Sequence, residues 1–284
     1  MSRILASLAR RLIPKNRFGD GLLCLLLFFR YQKRFPRRRQ LLNDYLFWNM
    51  VGKEALDPLR AFVSDKEFVK LYVAGKVGSV YNVPTISVYK DLKSIDLERI
   101  PARCCIKPTH LSGEVILREN GESIDYDRIQ RWFGENYYDS AREVNYRYLR
   151  PKLIVEPLIF DTTVNEDLKF FCYKGQARLI QIDFNRHKCH TRLYLDRHWN
   201  RLEFSMNKPI TDEQFSIPPN HEDLIGLADQ LSEDFEFIRV DLYTNGDSIF
   251  VGELTNWPEN GAGRFTPPSS ERLASEILFG SKLS

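Results

Sequence analysis

At 284 residues and 43% hydrophobic content, the chain can bury a substantial core as one large domain or two small ones, which excludes a disordered polypeptide. The net charge of +3 conceals a division: residues 1–39 hold eleven Lys or Arg and one acid, Asp20, for +10, so the remainder carries −7. Cys24, Cys104, Cys105, Cys172 and Cys189 are odd in number and lack CxxC spacing, which argues against a disulfide frame or a zinc site and predicts buried thiols in a reducing cytoplasm.

Residues 1–40 form a basic arm interleaved with the apolar run 22–29. That run is shorter than the roughly 20 residues that span a bilayer, and basic residues follow it where a secretory cleavage site would stand. Two readings stay open: a peripheral anchor on an anionic membrane surface, or an ordinary helix packed on the body of the protein. Helices are predicted over 41–50 and 66–76, the second capped at Ser64-Asp65. A strand over 83–89 enters through Pro84, a second ends in Arg103-Cys-Cys-Ile-Lys-Pro-Thr-His-Leu-Ser-Gly113, and 115–117 continues the sheet. Asp125-Tyr126-Asp127 precedes a helix over about 128–138 with the stripe Ile129, Trp132, Phe133. Strands follow over 153–159, 168–173 and 177–184, the last two hinged at Lys174-Gly175, then an amphipathic helix over 221–235. Strand pairs alternating with helices predict an α+β fold on antiparallel sheets, not a doubly wound parallel sheet.

The end of the chain carries the most chemistry. Two strands around Asn245-Gly246-Asp247 put Val240, Leu242, Phe250 and Leu254 on one face if the turn has an odd number of residues, and Asp241 and Glu253 together on the other. Facing carboxylates repel unless a cation lies between them. A two-residue turn would split them, and a half-exposed hairpin with solvated charges fits the same stretch. Lys107-Pro-Thr-His-Leu-Ser-Gly113 turns from one strand into the next, so amides near Ser112 and Gly113 can close on phosphate oxygens while Lys107 supplies charge. The same Pro and Gly also serve as plain turn formers, and His110 is either a base or an ordinary loop residue. Lys169 and Arg186 end neighbouring strands, where two cations either converge on an anionic ligand or sit in solvent. Together these residues form the set used in phosphoryl chemistry on ATP with Mg²⁺.

The motifs Asp65-Lys66, Lys107–Gly113 (KPxHxSG), 155–159 (VEPLI), 167–171 (DxKFF), 239–243 (RVDLY) and 252–261 (GELTxxPxxG) occur in an order that resembles the TupA-like ATP-grasp family of teichuronopeptide and surface-polysaccharide biosynthesis, from about residue 41 to the end. The resemblance implies an ATP-grasp fold in which two α+β subdomains grip ATP between antiparallel sheets. The expected segments are 41–105, a nucleotide lid and hinge over 106–160, and a metal-bearing subdomain over 161–284. Lys66 and Lys107 would lie on the nucleotide phosphates, His110, Ser112 and Gly113 would close over them, and Glu156, Pro157 and Leu158 would meet the adenine. Lys169 and Arg186, with Arg239, would face the reacting groups, and Asp241 and Glu253 would hold metal. The superfamily's last metal ligand is commonly Asn two residues past the Glu; here Thr255 stands there with Asn256 next, and Lys70 stands where relatives tend to have Arg. The implied activity is an ATP- and Mg²⁺-dependent carboxylate–amine ligase. Its implied partners are a uronic acid on a glycan or lipid-linked precursor and an amino acid, with the basic arm at the inner leaflet and no nucleic acid. The rival readings are a glycosyltransferase, whose DxD motif would have to be Asp125-Tyr126-Asp127, and a membrane- or nucleic-acid-binding module, which leaves the acidic C-terminal residues unexplained.

Overall fold

The computed structural model describes residues 12–38, 41–160, 166–185 and 189–280. The chain divides into two units: an inserted unit, Leu56–Asn165, and a split unit made of the residues up to Ala55 and those from Glu166 onward. The split unit opens with helices α1 (Arg17–Gln32) and α2 (Leu42–Val51). Asn16 caps α1 by accepting from the Gly19 amide at 2.9 Å, and Lys33 ends it in a left-handed conformation. The apolar run is thereby wound into a helix with two faces. Leu23, Cys24 and Phe28 are buried, whereas Leu22, Leu26 and Phe29 are exposed. Phe28 meets Phe47 of α2 edge-on at 5.5 Å, so the arm packs into the core of its own unit.

The inserted unit contains α3 (Pro58–Ser64), α4 (Phe68–Lys76), β1 (Ser87–Tyr89), β2 (Cys104–Pro108), β3 (Ile116–Arg118), α5 (Tyr126–Gly134), α6 (Tyr137–Ala141) and β4 (Leu153–Glu156). Its sheet runs β1-β4-β2-β3 with antiparallel neighbours, and Ile129 and Trp132 of α5 pack on Ile106, Leu153 and Val155. The expected boundary between residues 105 and 106 falls inside β2, because β1 to β4 make one sheet, and α2 belongs to the other unit. The helix expected from Lys66 begins at Phe68, after the Asp65 carboxylate takes the Glu67 and Phe68 amides at 2.9 and 3.3 Å. The helix expected over 128–138 breaks after Gly134, and Asn136 caps α6 by accepting from the Tyr138 amide at 3.0 Å. Strand β4 stops at Glu156 because Pro157 has no N–H to continue the ladder, and only Ser87–Tyr89 of the expected 83–89 pairs.

The split unit resumes with β5 (Glu166–Tyr173), β6 (Gln176–Phe184), β7 (Thr191–Asp196), β8 (Arg201–Leu202), β9 (Ser205–Met206), α7 (His221–Ser232), β10 (Phe237–Thr244), β11 (Ile249–Thr255), β12 (Phe265–Thr266) and α8 (Ser270–Phe279). Its six-stranded sheet runs β11-β10-β5-β6-β7-β8, antiparallel at each pairing. Lys174 and Gly175, both at positive φ, join β5 to β6 in a two-residue turn that matches the strand twist. Helix α7 buries Leu224, Leu227, Ala228 and Leu231 toward one face, which carries Phe170, Ile180, Val240 and Leu242. On the other face Phe171, Leu179, Tyr194 and Phe237 form a core with α2 and α8 through Leu42, Tyr45, Leu46 and Leu278. Farther along that second face the side chains turn polar. Four of the five cysteines are buried as expected, whereas Cys189 is exposed.

Since Phe28 is 2% exposed and Leu22 37%, Phe28→Ala should cost about 3–5 kcal/mol and Leu22→Ala less than about 1 kcal/mol in urea unfolding. Equal small losses would show that α1 is not part of the core.

Candidate functional site

The polar part of the split unit's sheet is built by a register shift. Four residues, Asn245 to Ser248, lie between Thr244 and Ile249, and Asn245 closes the turn by accepting from the Asp247 and Ser248 amides at 3.1 and 2.9 Å. Continued regularly, that even turn would set Asp241 against Gly252 and send Glu253 to the other face. A shift between Asp241 and Leu242 leaves Gly252 as the extra residue and sets Asp241 opposite Glu253. Glycine is required there, since a Cβ would come within 2.6 Å of the Tyr243 ring. The apolar face consequently carries Val251 opposite Leu242; the expected Phe250 faces the other way, opposite Tyr243.

Asp241 is 5% exposed and takes two hydrogen bonds from Arg239, Nε to Oδ1 and Nη2 to Oδ2, both 2.7 Å. Burial works against the Arg239 charge, but Asp241 outweighs it and holds the guanidinium pKa above its usual value. Arg239 also donates to the Thr255 hydroxyl at 3.0 Å, so Thr255 shares the carboxylate face. Asn256 follows the end of β11 and is buried. Among the described residues no hydrogen bond or ion pair engages the Glu253 carboxylate, which is half-buried.

Lys169 stands opposite Asp241 on β5, its Nζ 2.5 Å from Asp167 and 3.6 Å from Asp183, yet without a well-directed hydrogen bond. Asp183 also receives Arg192 Nε at 2.6 Å and lies 3.1 Å from His190 Nε2, and Arg192 reaches Glu259 at 2.8 Å. A row of ionic side chains therefore crosses the sheet. Among the described residues its five carboxylates, Asp167, Asp183, Asp241, Glu253 and Glu259, outnumber Lys169, Arg192 and Arg239 by two. Arg186 lies outside the described residues.

Among the described residues no three His, Cys, Asp or Glu converge as a ready metal cage. Mg²⁺ does not need one, because it keeps several waters and binds through one or two carboxylates together with substrate phosphates. The donor set fits that habit: Glu253 is an unengaged hard-oxygen ligand beside Asp241, and the excess negative charge matches a divalent cation. Asp241 is the less open of the two, since Arg239 already engages both of its oxygens.

In the inserted unit the lysines are engaged rather than free. Lys107 on β2 and Lys70 on α4 both pair with Glu156, Lys107 at 2.9 Å. Burial works against the Glu156 carboxylate, but Lys107 and Lys70 outweigh it and hold its pKa below the usual value. Lys66 donates to the Leu111 carbonyl and so holds the base of the 110–113 loop. His110 is 2% exposed with Nε2 2.9 Å from the Trp132 carbonyl, and burial lowers its pKa; it is a neutral packing residue and not an exposed loop base. The accessible part of the loop is half-buried Ser112 and exposed Gly113, at φ 78° with open space around it. Pro157 and Leu158 follow β4, half-buried.

Sequence reasoning missed Lys70 as a partner of Glu156, though its place four residues after Lys66 on a helical pattern was available as a signal. It also missed Asp183, His190, Arg192 and Glu259. Asp183 is two residues from Gln181, the partner of Lys169, and is found once the β5–β6 register is known.

A family model described as TupA-like ATPgrasp matches residues 46–278. Similar solved structures include D-alanine–D-alanine ligase from Bacillus anthracis complexed with ATP, at 10% identity and a TM-score of 0.42 over 69% of this chain and 56% of that one. A second structure of D-alanine–D-alanine ligase from that organism has 16% identity and a TM-score of 0.44 over 78% and 65%. The ATP-grasp ligase PsnB with its minimal precursor, Mg and ADP has 10% identity and a TM-score of 0.38 over 70% and 52%. The chain thus spans between about half and two thirds of the length of these structures. No curated protein is detectably similar.

The depressed Glu156 pKa sets a pH signature. Its stabilising contribution is fully present above the ordinary value of 4.5 and is lost as pH falls through the depressed one. Glu156→Gln should therefore destabilise by about 1.5–3 kcal/mol at neutral pH, with the difference from wild type shrinking below that value. A difference that does not change with pH would contradict the charged pairing.

Proposed function

The chain belongs to the TupA-like ATP-grasp family, and from that premise we propose that it is an ATP- and Mg²⁺-dependent ligase that joins a carboxylate to an amine, attaching an amino acid to a uronic acid of a cell-surface polysaccharide or its precursor. The observation that carries this reading is the pairing of Asp241 with Glu253 beside buried Lys169 and half-buried Arg239 on one sheet face. Glu253 and Asp241 are the residues that would hold Mg²⁺, which when bound withdraws negative charge from phosphate oxygens. Lys169 and Arg239 supply fixed positive charge in a buried setting, where it acts strongly on charge that builds up during transfer. In the inserted unit Lys66, Lys107 and the amides of Ser112 and Gly113 are assigned to the nucleotide phosphates, with the backbone at Glu156, Pro157 and Leu158 toward the adenine. For Lys107 that role requires sharing or leaving Glu156.

In the proposed reaction an acceptor carboxylate oxygen attacks the γ-phosphorus, the bond to the ADP oxygen breaks, and an acyl phosphate forms. The amine nitrogen then attacks the acyl carbon, loses a proton and displaces inorganic phosphate, leaving an amide. The glycosyltransferase reading lacks support from Asp125-Tyr126-Asp127, because Asp125 accepts from the Arg128 amide at 2.8 Å as the cap of α5.

Asp241→Asn would strand Arg239 beside a lost counter-charge, so the relief of repulsion expected from sequence is offset by a broken buried pair. Among the described residues no hydrogen bond or ion pair engages Glu253. Glu253→Gln should lower ADP release by about 10²–10³-fold with little change in melting temperature. Wild type given ATP, Mg²⁺, a uronate-bearing glycan and amino acids should release ADP and phosphate, and hydroxylamine should trap a hydroxamate. Release of AMP, or sugar transfer without ATP consumption, would overturn the reading.

The reading includes a cytoplasmic enzyme held peripherally at an anionic inner leaflet, with no nucleic-acid partner. No helix among the described residues is long and apolar enough to cross a membrane. What supports surface attachment is the exposed stripe Phe18, Leu22, Leu26 and Phe29 along α1, next to exposed Lys33, Arg37 and Arg38. Co-sedimentation with phosphatidylglycerol vesicles should be strong at low salt and fall at 0.5 M NaCl, where the Debye length drops to about 4 Å. Equal binding to phosphatidylcholine vesicles would contradict it.

A further inference from the structure

Beyond the ionic row, the split unit holds a cavity of about 720 Å³ lined by Tyr31, Asn207, Lys208, Glu259, Asn260 and Arg264 among others. Its floor is the turn after β11, where Glu259 and Asn260 both adopt left-handed conformations, at φ 54° and 53°. Non-glycine residues keep that conformation only when the surroundings enforce it. Here Glu259 is fixed at both oxygens, by Arg192 and by the Asn207 amide at 2.8 Å each, and Gly261 packs so closely on α2 that a Cβ would lie 3.1 Å from Leu46 Cβ. The opposite wall comes from the N-terminal arm. Gln32 donates to the Gly263 carbonyl at 2.9 Å, and the Arg264 guanidinium lies 5.0 Å from the Tyr31 ring centroid.

The lining has more recognition capacity than its internal bonds use. Among the described residues, no hydrogen bond or ion pair engages the Lys208 ammonium, and the Arg264 guanidinium meets only the ring. Asn260 Oδ1 is buried without a hydrogen-bond partner. The one lining carboxylate, Glu259, shares Arg192 with Asp183, and Lys208 and Arg264 outnumber it two to one, so the cavity lining carries surplus positive charge. Two cations select an anion, the Asn260 amide suits a hydroxyl group, and Tyr31 offers a flat apolar face. That combination suits an acidic sugar, and the volume falls within the range of roughly 300–1,000 Å³ typical of ligand pockets. The cavity also connects to the ionic row, because Glu259 is bonded to Arg192, which is bonded to Asp183 beside Lys169.

We propose that this cavity is a subsite for the acceptor glycan, holding a carboxylate-bearing sugar next to the one that reacts, with Arg264 and Lys208 on the carboxylate and Tyr31 against the ring. The assignment rests on the ligase reading and adds what that reading lacks: a reason for an acceptor longer than one sugar, and a second task for the arm as a wall of the subsite.

Calorimetric titration of the full chain with trigalacturonate, without nucleotide, tests it. Wild type should bind trigalacturonate at least about tenfold more tightly than maltotriose and than monomeric galacturonate. Arg264→Ala and Lys208→Ala should each weaken binding about tenfold or more with unchanged melting temperature, and Arg264→Lys should recover part of the loss. Binding of maltotriose as tight as that of trigalacturonate, a preference for glucose 1-phosphate, no detectable trigalacturonate binding, or variants that bind like wild type would each overturn the subsite. ATP titrated in parallel keeps the two readings separable: ATP binding without trigalacturonate binding removes the subsite alone, whereas loss of ATP binding in wild type removes the ligase reading.

Discussion

The extra residue at Gly252 sets the chemistry of the split unit. Without the register shift, the four-residue turn would hand one carboxylate to each side of the sheet, and Glu253 would enter the apolar layer under α7 opposite Val240 while Leu254 turned to the other face. With it, Asp241 and Glu253 share a face, and the apolar side chains close ranks on the other. The close approach of the Tyr243 ring explains why only glycine fits at the shift. One backbone irregularity thus makes the core continuous and gathers negative charge at one place, at the cost of a locally disturbed ladder.

Buried charge is the second constraint, and both units meet it by mutual pairing. In the split unit Arg239 holds Asp241, and Asp183 gathers Lys169, Arg192 and His190. In the inserted unit Glu156 holds Lys70 and Lys107, and Lys152 sits between Asp65 and Glu67. Such pairs contribute little net stability relative to apolar packing, yet losing one partner costs several kcal/mol, so they keep charged side chains in fixed positions. Fixed charge is what phosphoryl transfer uses, because a preorganised site does not have to reorganise as charge moves. The negative balance of the split-unit row among the described residues is the feature that a divalent cation would relieve.

Much of this was legible in sequence, and the gaps have physical causes. The helices at 42–51, 68–76 and 221–232 and the antiparallel strands follow from periodicity and turn residues, and the ordered motifs pointed to the family that the match over residues 46–278 establishes. The pairing of Asp241 with Glu253 was legible only as a condition on turn parity. The parity proved even, and the pairing arises from a bulge that alternation cannot encode, which is also why Phe250 was read in place of Val251. His110 reads as a loop residue because it follows Pro108, but α5 folds over it and the Trp132 carbonyl takes its ring nitrogen. Asp183, Arg192 and Glu259 are far apart in sequence or carry no motif; only strand register brings them together. The apolar run 22–29 puts one face in the core, as its packed-helix reading expects, and leaves the other exposed.

On the proposed reading, Asp241 and Glu253 form the metal face of a nucleotide enzyme. Crystals grown with Mn²⁺ and a non-hydrolysable ATP analogue would test it most directly. An anomalous-difference peak is expected about 2 Å from an oxygen of Glu253 and within the same distance of Asp241 or a water held by it. A bound nucleotide whose metal is ligated elsewhere, with Glu253 left in solvent and Arg239 still closed on Asp241, would contradict it.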